Sequence, residues 1–126
     1  MNILVTGANG QVGWELERQG TKSQHQVFSL NREQLNITDK KQIQQRIDEH
    51  QPDVIINAAA YTEVDQAESN QEVAYAINQD GAMYLARAAN DADIPLFHIS
   101  TDYVFDGNKD SAYMESDLTA PLSVYG

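Results

Sequence analysis

Residues 1–16 read MNILVTGANGQVGWEL, and their order decides the fold. Asn2–Thr6 (NILVT) is apolar and β-branched, the length of one buried strand, and it leads directly into Gly7, Gly10 and Gly13. A helix is expected from Gln11 to about Gln19. Each glycine in such a loop meets a different demand. The first permits a tight turn, the middle one lets backbone N–H groups approach a pyrophosphate, and the third lets helix and strand pack closely. The helix N-terminus adds free N–H groups and a partial positive charge. A lone motif of this kind reads equally well as a plain glycine turn. Its position at residue 7, between a strand and a helix, favours a nucleotide site.

Outward from this loop, short β-branched runs alternate with longer helical stretches. Gln26–Leu30 reads as a second strand and Leu35–Ile37 as a short third. Thr38 or Asp39 can cap a helix over Lys40–His50, whose Ile43 and Ile47 share a face. Val54–Ile56 is a fully apolar strand ending at Asn57, a long helix is expected over Gln71–Asn90 with Gly81 interrupting it, and Leu96–Ser100 is another strand. This is the pattern of βαβ units, so the fold class is α/β, a doubly wound parallel sheet of Rossmann type. Residues 101–121, rich in Asp, Ser, Asn and Gly, read as one long loop, and loops of that length in compact domains are usually functional. Leu122–Gly126 reads as the start of a further element, and a frayed one. Residues 1–126 are therefore expected to be one NAD(P)-binding domain, incomplete at its C-terminus, with the substrate domain absent.

Composition narrows the partners. Eight Lys+Arg against 19 Asp+Glu give a net charge of −11, which repels nucleic acid and anionic lipid. No apolar run approaches the roughly 18–20 residues of a membrane-spanning helix. The N-terminus has no basic leader and reads as a buried strand, not a signal peptide. The absence of cysteine excludes thiolate metal sites and cysteine nucleophiles and fits a cytoplasmic location. His25, His50 and His98 form no ligand cluster; His98, between Phe97 and Ile99, is expected in the core. Asp65 and Glu68 read as a solvated acidic face, not a metal pair.

The end of the second strand bears on cofactor choice. In the NAD fingerprint an acidic residue about 20 positions past the glycines takes the ribose 2′-OH. Here Ser29, Leu30, Asn31 and Arg32 occupy that region, with no carboxylate before Glu33. Arg32 can grip a 2′-phosphate, which favours NADPH over NADH; a solvated surface arginine is the alternative.

Four stretches together resemble the extended short-chain dehydrogenase/reductases, and within them the dTDP-4-dehydrorhamnose reductases. They are MNILVTGANGQVGWEL, PDVIINAAAYTEVDQAE, STDYVFDG and APLSVYG. The glycine loop is common to many nucleotide-binding proteins; STDYVFDG followed by PLSVYG is much more specific. The resemblance implies NADPH-dependent reduction of the 4-keto group of a dTDP-sugar, dTDP-4-dehydro-L-rhamnose. It places Gly10, Gln11 and Val12 on the pyrophosphate, beside Gly7 and Gly13 of the same loop, while Arg32 stays a cofactor candidate on its spacing alone. Asn36 and Ile37 fall beside the adenine, where the family carries Asp in place of Asn36, and an amide oxygen can still accept from the adenine amino group. Ala58, Ala59, Ala60, Tyr61, Thr62 and Ser100 line the inner ribose and nicotinamide. Thr101 and Asp102 fall where the family contacts substrate, and Tyr125 falls on its catalytic tyrosine.

A ketoreductase must deliver a proton to the carbonyl oxygen, a task for which an ordinary tyrosine, with a pKa of about 10, needs help. The family supplies a lysine four residues later, beyond Gly126 in this sequence. Thr101 and Tyr125 are expected to converge on one carbonyl oxygen. Two alternatives stay open: another nucleotide-sugar epimerase or dehydratase, and a non-catalytic NADP-binding subunit like that of methionine adenosyltransferase. A homodimer is left open as well.

Overall fold

The computed structural model describes residues 1–126. Four parallel strands, β1 (Asn2–Thr6), β2 (Gln26–Leu30), β3 (Val54–Asn57) and β4 (Leu96–His98), form one sheet in the order β2-β1-β3-β4. β1 pairs Leu4 with Phe28 on one side and with Ile55 on the other. Parallel neighbours need crossovers, and helices α1 (Gln11–Gly20), α2 (Lys40–His50), α3 (Val64–Ala67), α4 (Gln71–Tyr75) and α5 (Ala82–Asp91) provide them.

Alternation along the strands divides the apolar residues between two faces. Leu4, Leu30 and Ile55 meet Ile43 and Ile47 of α2 and Leu85 and Ala89 of α5, forming the main core. α1 lies on the opposite face, where a Cβ on Gly20 would collide with the Val27 side chain. With helices on both faces the sheet is doubly wound, as the sequence pattern requires. α1 packs on β1 and β2. On that same face, at the β4 edge, Phe97 stays 64% exposed.

Four expected elements differ from the observed ones. Leu35–Ile37 is not a strand. The Asn31 side chain accepts from the Glu33 and Gln34 N–H groups at 2.9 and 3.1 Å, and Asn36 Oδ1 accepts from the Thr38 N–H at 3.1 Å. Side-chain turns on either side thus replace ladder pairing, and Leu35 and Ile37 are core plugs, 2% and 4% exposed. The expected helix over Gln71–Asn90 is α4 and α5 joined by a π-helical turn, Ala76–Gly81. β4 stops at His98 instead of Ser100, its last backbone bond running from the Ile99 N–H to the Asn57 carbonyl at 3.3 Å. The loop after it contains a 3₁₀ turn, Asp102–Val104. α3 was not anticipated.

Candidate functional site

The chain leaves β1 to one side for β2 and returns to the other side for β3, so a crevice opens between the two connections at the carboxyl ends of the strands. A cleft of about 950 Å³ lies there. Its near wall is the glycine loop. Gly7 sits at φ 75°, and a Cβ on it would come within 2.7 Å of the Ala58 carbonyl group and the Ala59 nitrogen. A Cβ on Gly13 would collide with the Gly7 carbonyl oxygen. The fold itself therefore requires both. Gly10 differs: at φ −81°, ψ 166° it has a backbone any residue adopts, and a Cβ would meet only the Gly7 oxygen, at 3.3 Å. Gly10 keeps open a space in the cleft wall at the start of α1, where no side chain caps the helix. An uncapped N-terminus beside a missing Cβ is the cradle an anionic oxygen needs.

The floor is a chain of hydrogen bonds across three strand ends. Thr6, fully buried, donates from Oγ1 to Asn57 Oδ1 at 2.5 Å, and the Ala59 N–H donates to the same oxygen at 3.2 Å. Two donors fix that atom as oxygen. Asn57 Nδ2 then donates to His98 Nδ1 at 2.9 Å. A neutral His98 ring consequently carries its proton on Nε2. His98 is exposed along the cleft and is not the core residue expected, because β4 is an edge strand with a neighbour on one side only. Ala58, Ala59, Ala60 and Thr62 line the cleft beyond the floor. Asn78, from the π-helical turn, clamps the backbone between them: its Oδ1 accepts from the Tyr61 N–H at 2.8 Å and its Nδ2 donates to the Tyr61 carbonyl at 2.9 Å. Tyr61 is held in that way but does not itself line the cleft.

Arg32 stands at the end of β2 with an exposed guanidinium that makes no ion pair and no side-chain hydrogen bond. The turn beneath it is firmly tied, since Asn31 N–H also donates to Gln34 Oε1 at 2.9 Å and Arg46 Nε to the Gln34 carbonyl at 2.9 Å. Asn36 is half-buried, and its amide oxygen already accepts from the Thr38 N–H and, at 2.9 Å, the Thr38 hydroxyl. The acceptor role expected of Asn36 is thus spent locally, leaving Nδ2 as a donor. Ile37 is core, packed against Gly81, where a Cβ would come within 2.8 Å of its side chain.

At the far wall stand Ser100, Thr101 and Tyr125, all lining the same cleft. The Thr101 hydroxyl caps the 3₁₀ turn, accepting from the Tyr103 N–H at 3.2 Å and donating to Asp102 Oδ1 at 3.3 Å. Asp102 faces a neighbouring hollow of about 430 Å³, beside Tyr103, Phe105 and Tyr113. There the Asn108 N–H, with the Tyr113 hydroxyl, holds the Asp106 carboxyl below its ordinary value. Tyr125 is half-buried, its ring edge-on to Tyr103 at 5.5 Å and 78°. The frayed end expected for it is not observed. Val124 N–H donates to Glu68 Oε1 at 2.9 Å, and Gly126 N–H to Ser123 Oγ at 3.2 Å. Residues 122–126 nevertheless form no helix.

Ten of the residues singled out by sequence line this cleft: Gly10, Gln11, Val12, Ala58, Ala59, Ala60, Thr62, Ser100, Thr101 and Tyr125. Asn9, Tyr75, Asn78, Gln79 and His98 were missed. A polar Asn in a mostly apolar helical stretch was a visible sign for Asn78. No Asp, Glu, Lys or Arg lines the cleft, and no group of acidic and histidine residues is placed to hold a metal.

A parallel sheet with helices on both faces, and a glycine-walled cleft at its switch point, defines a Rossmann-type α/β domain. The chain belongs to the RmlD substrate binding domain family, whose model matches residues 1–126. It is 46% identical over 125 residues to the dTDP-4-dehydrorhamnose reductase of Aggregatibacter actinomycetemcomitans, covering 98% of this chain and 42% of that protein. The dTDP-4-dehydrorhamnose reductase structure from Clostridium acetobutylicum superposes with TM-score 0.96 at 40% identity, over 100% of this chain and 45% of that one. The Bacillus anthracis dTDP-4-dehydrorhamnose reductase, solved in complex with NADP, superposes with TM-score 0.94 at 40% identity, over 98% and 44%. The chain thus spans less than half the length of these relatives.

Proposed function

We propose that this chain is the cofactor-binding half of an NADPH-dependent reductase acting on the 4-keto group of dTDP-4-dehydro-L-rhamnose. The observation that carries the reading is Gly10: its backbone suits any residue, a Cβ there would press only on the Gly7 oxygen, at 3.3 Å, and its absence opens the cleft wall at an uncapped helix N-terminus. A pyrophosphate fits such a wall without a cation, through the N–H groups of Gln11 and Val12. Arg32, unpaired on a rigid turn, takes the ribose 2′-phosphate. Ala58–Thr62, pinned by Asn78, supports the inner ribose and the nicotinamide, which supplies hydride when bound. Thr101 and Tyr125 meet the substrate carbonyl oxygen, Tyr125 giving the proton and the Thr101 hydroxyl turning from Asp102 Oδ1 to donate a hydrogen bond. Asp102, turned into the adjoining hollow, is placed to meet the sugar. The relatives bearing the reductase name, one of them solved with NADP, support the assignment.

The reaction is tested in a polypeptide continued to the relatives' length, by following NADPH oxidation with the keto sugar. Tyr125→Phe should lower kcat by about 10²–10⁴-fold, the usual worth of a positioned acid. The 126-residue chain alone should show no useful turnover. Unchanged kcat in Tyr125→Phe would remove the tyrosine from proton delivery. Cofactor binding without any sugar turnover by the longer polypeptide would favour a non-catalytic subunit.

A further inference from the structure

Glu68 is exposed, makes no ion pair, and lies 56 residues from the backbone group it holds. We infer that Glu68 is a positioning residue that fixes the turn carrying Tyr125, an inference resting on the reading of Tyr125 as proton donor. Glu68 caps the C-terminal end of α3, and that helix is seated by Ala67, fully buried, and by the Ala67 N–H bonded to the Glu63 carbonyl at 2.9 Å. α3 directly follows Ala58–Thr62, so the carboxylate joins the end of that cleft-lining segment to the tyrosine segment. Its Oε1 accepts the Val124 N–H at 2.9 Å, and on the other side of Tyr125 the Gly126 N–H bonds to Ser123 Oγ at 3.2 Å.

Ser123 accepting from the N–H three residues on is the geometry of a helix N-cap, and an anion near the first N–H groups of such a turn makes a charge-assisted bond. Two further contacts limit what the turn can do. The Ala120 N–H bonds to the Val104 carbonyl at 2.8 Å, and Gly126 packs on the Tyr103 carbonyl with no room for a Cβ. Glu68 is the sole bond from outside the segment to the residue next to Tyr125. Misplacing a reacting group by about 1 Å can cost about 10²-fold, so this bond bears on rate and not on cofactor affinity.

Amide hydrogen exchange in the 126-residue chain tests the positioning directly. In the unmodified chain the Val124 amide should be protected; free exchange there overturns the inference with no substitution made. Glu68→Ala should speed Val124 exchange about tenfold while the β3 amides keep their protection, and Glu68→Gln, which retains an acceptor oxygen, should recover most of it. Equal Val124 exchange in Glu68→Ala and the parent overturns it as well. In the longer polypeptide, Glu68→Ala should lower kcat at least about tenfold with NADPH affinity within about twofold, and Glu68→Gln should restore kcat. A loss of NADPH affinity equal to the loss of kcat would also contradict it. Tyr125→Phe read separately reports on proton delivery, so a silent Tyr125→Phe sinks that reading while exchange still decides what Glu68 holds.

Discussion

Gly7, Gly10 and Gly13 look alike in sequence, and only geometry separates their tasks. Gly7 and Gly13 are demanded by backbone approach inside the protein, Gly10 by space left in the cleft. Arg32 and Asn36 show the same limit of legibility. Arg32, which spacing singles out, keeps a side chain without a partner. Asn36 does not keep its acceptor free, because a short amide side chain in a turn bonds its own neighbour first, here Thr38. Sequence shows which atoms a residue owns but not which it has already committed. Arg32→Ala should therefore weaken NADPH binding by about 1.5–3 kcal/mol, the range for a hydrogen bond to a charged group, and leave NADH binding nearly unchanged. Paired titrations with the two cofactors check this, and equal losses would mean that Arg32 acts through folding.

Among the elements, β1, β2 and α2 were readable to the residue because period, caps and turn residues agree there: Asp39, for example, accepts from both the Lys41 and Gln42 N–H groups. What sequence missed lies where tertiary contact overrides pattern. Leu35 and Ile37 alternate like a strand yet serve as plugs between two turns. The π-helical turn has no local signature, and it is the turn that presents Asn78 to Tyr61. Asn78→Ala would leave a half-buried N–H and carbonyl unpartnered, costing about 1–3 kcal/mol. Thermal unfolding should shift down accordingly, and NADPH affinity should fall with it; unchanged values for both would dissociate the turn from the site.

The loop after β4 carries its own latch. Phe105 stacks on Tyr113 at 4.1 Å, and Asp117 is held by Lys109 and by the Met114 N–H. Asp106 and Asp117 are both more acidic than the ordinary 3.8, Asp106 chiefly through the Asn108 N–H and Asp117 chiefly through Lys109. Groups so lowered stabilise the folded loop at pH above the ordinary value, and that contribution disappears as pH falls through their depressed values. The loop should stay closed down to about pH 4 and loosen only in stronger acid, which proton NMR of the Tyr113 ring can follow. Loosening near pH 5 would contradict the latch.

For the molecule as a whole, charge and cleft pull in opposite directions: a net charge of −11 surrounds a site assigned to a phosphate-rich cofactor. The opposition is eased locally: no Asp or Glu side chain lines the cleft, and backbone dipoles at the start of α1 face the proposed anion. The fold class and most of the cleft were legible because parallel βαβ order places its ligand at the strand carboxyl ends whatever the surface charge. His98 and Glu68 were not, since each is defined by a partner more than forty residues away in sequence. The central claim, that this wall takes a dinucleotide pyrophosphate, rests on Gly10. Titration calorimetry of NADPH into the 126-residue chain and its Gly10→Val variant tests it most directly, with thermal unfolding run alongside. The parent should bind one NADPH and the variant none, with both proteins unfolding cooperatively, since the Gly10 backbone suits any residue and the added Cβ presses only on the Gly7 oxygen, at 3.3 Å. Equal NADPH affinity in the two proteins, or no binding by the parent, would contradict it.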